Sequence, residues 1–126
     1  MGRVYYNKLI RDRIPEKIAA AGSACAIRTI ADMAEFEQEL LKKVVEEAHA
    51  LSMVRDRAAF LDEYADLMVV LKELSLRMGC TEVEIQTALQ ENVAKKGGFT
   101  QRLFLSWSSD DTYRSNETPQ GISTTK

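Results

Sequence analysis

Glu47, Glu63 and Asp66 are acids in positions where a helical chain should be apolar. Between residues 33 and 54, Met33, Phe36, Leu40, Val44, Leu51 and Val54 recur with a helical period, and Glu47 falls in the middle of that stripe. A second stripe, Phe60, Leu67, Val70, Leu74 and Met78, has Glu63 at its centre and Asp66 one turn further on. Desolvating an unpaired carboxylate is expensive, so inward-facing acids need either cationic partners or a metal. Ion pairs with Lys or Arg from neighbouring helices satisfy that need without any function. The alternative is a Mg²⁺ site inside a helical bundle, since hard divalent cations take oxygen ligands.

The elements that must position these acids are helices with short punctuation. Residues Tyr5 to Asp12 form a mixed basic and apolar lead-in, and Pro15 suits the first turn of a short helix that stops at Gly22. The β-branched character of Ser23 to Ile30 predicts an extended segment. Asp32 is an N-cap for a long helix to about Met53, and Asp56 caps the next, which ends at Gly79. Thr81-Glu82-Val83-Glu84 is a capping box that opens a third long helix, closed after Lys95 or Lys96 by Gly97-Gly98. Phe99 to Trp107 alternates loosely and is expected to cross back over the bundle, with Trp107 as a packing anchor. From Ser108 onward the residues are polar, with almost no large apolar side chain. The expected organisation is therefore one helical domain over residues 1–107 and a disordered polar tail over 108–126. On the middle helix Leu61, Tyr64, Met68 and Leu71 lie away from the Glu63 stripe, so both sides need cover. Helix packing between copies, as a homodimer or a tetramer, would supply it.

Composition narrows the class. At 126 residues with 45% hydrophobic and 29% charged content, the chain has the make-up of an ordinary soluble domain able to bury a core without staples. A net charge of −2 gives no electrostatic reason to expect a nucleic-acid polymer or an anionic membrane as partner. No apolar run approaches the roughly 20 residues of a membrane helix. Charges spread from Arg3 to Lys17 are unlike a signal peptide. Cys25 and Cys80 belong to no ligand-spaced cluster and read as reduced, mostly buried thiols of a cytoplasmic protein. His49 points almost opposite to Glu47 on an ideal helix and is expected at the surface.

Three stretches, in order, resemble the MazG-like all-α nucleoside triphosphate pyrophosphohydrolases, a superfamily that includes phosphoribosyl-ATP pyrophosphohydrolase. The opening Tyr6-Asn7-Lys8-Leu9-Ile10-Arg11-Asp12-Arg13-Ile14-Pro15 is similar to the "YNKLVRDKIP" start of one branch. Glu46-Glu47 and Glu63-Tyr64-Ala65-Asp66 resemble the "EExxE…ExxD" core. The stretch Asn92 to Arg102, with Lys95-Lys96-Gly97-Gly98-Phe99, resembles the "KRGGF" close. Together they span about residues 4 to 105. The chain departs from the pattern at Ala50, where the family carries a third acid of the first motif.

The resemblance implies an antiparallel all-α bundle completed by dimerisation, and cleavage of a nucleotide between its α- and β-phosphates to a monophosphate and pyrophosphate. It implies Glu46, Glu47, Glu63 and Asp66 as catalytic acids, of which Glu47, Glu63 and Asp66 hold Mg²⁺, with Mn²⁺ as a substitute. It implies Lys8, Arg11, Asn92, Lys95, Lys96 and Arg102 as contacts to the nucleotide substrate. Base selection falls to apolar or aromatic groups such as Phe36, Phe60 or Tyr64. Lys95 and Lys96 also sit where a helix macrodipole favours cations, whatever the function. Three readings follow: a general nucleotide pyrophosphohydrolase, a phosphoribosyl-ATP pyrophosphohydrolase of histidine biosynthesis, and a nucleotide-binding helical dimer weakened in turnover by Ala50.

Overall fold

In a computed structural model describing residues 2–110, those residues form four helices and no strand: α1 (Ile14–Ala20), α2 (Met33–Ser52), α3 (Arg57–Arg77) and α4 (Glu82–Lys96). Their ends follow the capping chemistry. The Asp32 carboxylate accepts from the Ala34 N–H at 3.1 Å, and Asp56 accepts from the Ala59 N–H at 2.8 Å. At α4 the box is reciprocal: Thr81 Oγ1 accepts from the Glu84 N–H at 3.1 Å, while Glu84 accepts from the Thr81 N–H at 2.8 Å. The α3 terminus is a Schellman turn, in which Cys80 N–H donates to Ser75 and Gly79 N–H to Leu76. Gly79 has a φ of 73°, a left-handed conformation that a side chain would disfavour. Pro15 occupies the first turn of α1, where a missing N–H costs nothing.

Residues 53–56 turn the chain so that α2 and α3 run antiparallel. The pairing shows this directly: Glu37 faces Arg77 at 4.0 Å, Leu40 clusters with Val70 and Leu74, and Glu47 lies beside Glu63 and Asp66. The core of this hairpin is Leu40, Val70 and Leu74, with Leu9, Phe36 and Val44 packed against it. Leu9 belongs to the lead-in, so the core also anchors the segment that precedes α1. Within residues up to Thr87, α2 and α3 are the helices that pack on each other, and α1 packs on neither. The described residues from Ala88 to Asp110 belong to a second compact unit, so the boundary lies inside α4.

Several expectations need correction. Residues 23–30 form no strand, in line with a segment too short to imply a sheet, and the Arg28 guanidinium pairs with Glu35. Cys25 is exposed rather than buried, although neither it nor Cys80 is in a disulfide. Trp107 is 81% exposed and so is no packing anchor among the described residues, and Phe99, Leu103 and Phe104 are exposed as well. Of the predicted polar tail, residues 111–126 lie outside the described residues. Leu61, Tyr64, Met68 and Leu71 are each more than a third exposed. No helix among the described residues is long and apolar enough to cross a membrane.

Candidate metal centre

The antiparallel pairing places the end of α2 opposite the start of α3. There one carboxylate oxygen from each of Glu47, Glu63 and Asp66 lies within 4.8 Å of the other two, and all three residues are half-buried. Two come from one face of α3 because i and i+3 positions are neighbours on a helix. The third comes from the facing stripe of α2, which Leu40 and Val44 press against α3.

Cations surround this trio. Lys43 Nζ donates to Glu46 Oε1 at 2.8 Å and lies 3.8 Å from Glu47 Oε2, and its side chain is only 11% exposed. From the lead-in, Lys8 Nζ is 3.5 Å from Glu46, and Arg11 donates to Asp66 Oδ1 at 3.5 Å. The hydrogen bond from Lys43 holds the Glu46 carboxyl below its ordinary pKa, with Lys8 adding to the effect. Glu47 moves the other way. Burial pushes its pKa up, and Asp66, Glu46 and Glu63 push further in the same direction against the pull of Lys43.

The sequence-derived residues thus divide. Glu47, Glu63 and Asp66 come together; Glu46 stands beside them, tied to two lysines. Lys8 and Arg11 reach the acids. Asn92, Lys95 and Lys96 are exposed on the last turns of α4, and Arg102 is exposed in the turn beyond, with a φ of 57°. His49 is exposed, and Ala50 sits half-buried one turn after Glu47. Lys43 was missed by the sequence reading. Its signal was available: it lies three residues after Leu40 and four before Glu47, so it faces inward with them.

A cleft of about 180 Å³ adjoins these groups, lined by Leu9, Arg11, Phe36, Leu40, Lys43 and Val70 among others. Of the aromatic candidates for base selection, Phe36 is in that cleft. Phe60 and Tyr64 instead pack on each other, with ring centroids 5.6 Å apart.

The trio suits a hard divalent cation. Octahedral Mg²⁺ with bonds of about 2.1 Å separates its oxygens by about 3.0 Å when adjacent and about 4.2 Å when opposite. The trio offers one carboxylate oxygen from each residue, all within 4.8 Å of one another, the donor type such a shell takes. Three carboxylates leave the remaining positions to water or phosphate, which is the usual magnesium arrangement. No family model, curated protein or solved structure matches the chain.

Proposed function

We propose that the protein is a metal-dependent nucleotide pyrophosphohydrolase, with Mg²⁺ held by Glu47, Glu63 and Asp66 and Mn²⁺ able to replace it. The observation that carries this reading is the convergence of three carboxylates from two helices, with Lys8, Arg11 and Lys43 around them and an apolar cleft alongside. When bound, the metal neutralises phosphate oxygens and lowers the pKa of a coordinated water. Water attack at the α-phosphorus breaks its bond to the bridging oxygen, giving a nucleoside monophosphate and pyrophosphate.

The chain's own groups have separate tasks in this scheme. Arg11, Lys8 and Lys43 offer positive charge to the phosphates, where charge develops on the leaving pyrophosphate. Asn92, Lys95, Lys96 and Arg102 are proposed as further substrate contacts on the resemblance of the Asn92–Arg102 stretch. Phe36 and the cleft take the base. Glu46, a further catalytic acid on the resemblance, also holds Lys43 and Lys8 beside the trio. Cover for the exposed Leu61, Tyr64, Met68 and Leu71 comes from a second copy of the chain, as a homodimer or within a tetramer.

Ala50 favours a second reading. A glutamate there would point toward the trio from one turn along α2; alanine offers the metal nothing. The protein would then bind a metal nucleotide with little turnover. Pyrophosphate release from a panel of NTPs, dNTPs, modified nucleotides and phosphoribosyl-ATP, with Mg²⁺ and with Mn²⁺, separates the readings. Release that disappears in Glu63→Gln supports the enzyme and identifies its substrate. A folded protein silent across the panel supports the binding reading.

A further inference from the structure

The pairing of the lead-in with the acids suggests more than a structural contact. Four carboxylates, Glu46, Glu47, Glu63 and Asp66, share one end of the α2–α3 hairpin with three cationic side chains. Two of those cations, Lys8 and Lys43, are engaged by Glu46. Among the described residues, Arg11 alone reaches a member of the trio from outside the hairpin, and it does so through a single long contact to Asp66. Its side chain is 53% exposed and that of Asp66 44%, so neither is locked in place. The backbone next to Arg11 is held more firmly, because Leu9 is packed into the core.

We propose that Arg11 is an exchangeable counter-ion of the acid centre: it pairs with Asp66 when no metal is there, and a divalent cation displaces it toward the phosphates of the nucleotide. The inference rests on the metal-centre reading above and adds a device to it. A guanidinium cannot lose its charge at physiological pH, so it can leave Asp66 only by moving. With Leu9 as anchor, the movement is rotation of one side chain about a fixed segment. The same planar fork that meets a carboxylate also matches a phosphate. Metal and arginine thus compete for Asp66, whereas metal and nucleotide together satisfy both.

The test measures binding rather than turnover, on the full chain. Mn²⁺ affinity is measured by electron paramagnetic resonance for wild type, Arg11→Gln, Arg13→Gln and Glu63→Gln. Affinity for an α,β-methylene nucleoside triphosphate is measured by calorimetry with Mg²⁺ present. Among the described residues Arg13 pairs with Glu16, at 3.9 Å, and it serves as a control for general loss of charge. Arg11→Gln is expected to bind Mn²⁺ about threefold more tightly, the scale of losing one exposed ion pair. It is also expected to bind the nucleotide about tenfold more weakly, as a charged hydrogen bond is lost. Arg13→Gln should change neither. In the wild type, the Arg11 Nε–H resonance should move during Mg²⁺ titration, an observation that depends on no variant. Unchanged or weaker Mn²⁺ binding by Arg11→Gln, or a static Arg11 resonance while Mg²⁺ binds, overturns the exchange alone. Absent Mn²⁺ binding in the wild type, or binding that survives Glu63→Gln, overturns the metal centre and the exchange with it.

Discussion

Replacing Glu47 by Gln should stabilise the metal-free protein while removing its response to metal. The Glu47 side chain is 17% exposed and carries an oxygen within 4.8 Å of the acids of Glu63 and Asp66. Two unit charges 4.8 Å apart repel by about 0.9 kcal/mol in water and about 3.5 kcal/mol at an effective dielectric of 20. Asp66 is 44% exposed, so solvent screening keeps the value near the lower end. Two such repulsions come to about 2 kcal/mol, and the loss of the Lys43 contact returns about 1 kcal/mol. The net gain of about 1 kcal/mol corresponds to a Tm rise of about 4 °C for a domain of this size.

The pH dependence supplies a sign. Because the folded pKa of Glu47 is raised, the folded state holds its proton longer, and stability falls as pH rises from 4.5 through that raised value. The Gln variant should lack that fall. Magnesium at 100 times its Kd should raise wild-type stability by about 2.7 kcal/mol and leave Glu47→Gln almost unchanged. Calorimetric scans from pH 4 to 8, with EDTA and with Mg²⁺, read all of this. A variant less stable than wild type in EDTA would refute the reasoning, because it would mean that Glu47 is a structural ion-pair partner.

Lys43→Met should cost about 1–2 kcal/mol in urea unfolding, since it strips Glu46 and Glu47 of their nearest cation. The lowered pKa of Glu46 implies stability that is present above 4.5 and lost as pH falls through the lowered value; Glu46→Gln should flatten that limb of the acid-unfolding curve. Met68→Lys, on the exposed side of α3, should shift the protein toward monomer in light scattering coupled to size exclusion, with a lower Tm. Ala50→Glu should tighten Mn²⁺ binding about tenfold if its carboxylate joins the trio, and should lower the Tm of the metal-free protein through added repulsion.

What was legible in the sequence was local. Asp32, Asp56 and the Thr81–Glu84 box mark helix starts because each has an orphan N–H to satisfy, and Gly79 marks a stop because its backbone must turn left-handed. The inward placement of Glu47, Glu63 and Asp66 followed from the 3.6-residue period, which also fixes which residues meet once the α2–α3 turn is short. Lys43 was equally periodic but was overlooked, because a lysine stem can lie against apolar surface with its charge outward, and only the partner acids show that it turns in. The pairing of Arg11 with Asp66 joins positions 55 apart, a relation with no local signal. Trp107 misled because a large aromatic suggests a core, whereas among the described residues the buried cluster is the small one around Leu40, Val70 and Leu74.

Whether Glu47, Glu63 and Asp66 hold a divalent cation is decided by anomalous scattering from crystals grown with Mn²⁺. An anomalous peak bounded by those three carboxylates is expected, with Arg11 turned away from Asp66. Well-ordered carboxylates with no peak between them at saturating Mn²⁺, or with Lys and Arg side chains filling that space, would contradict it.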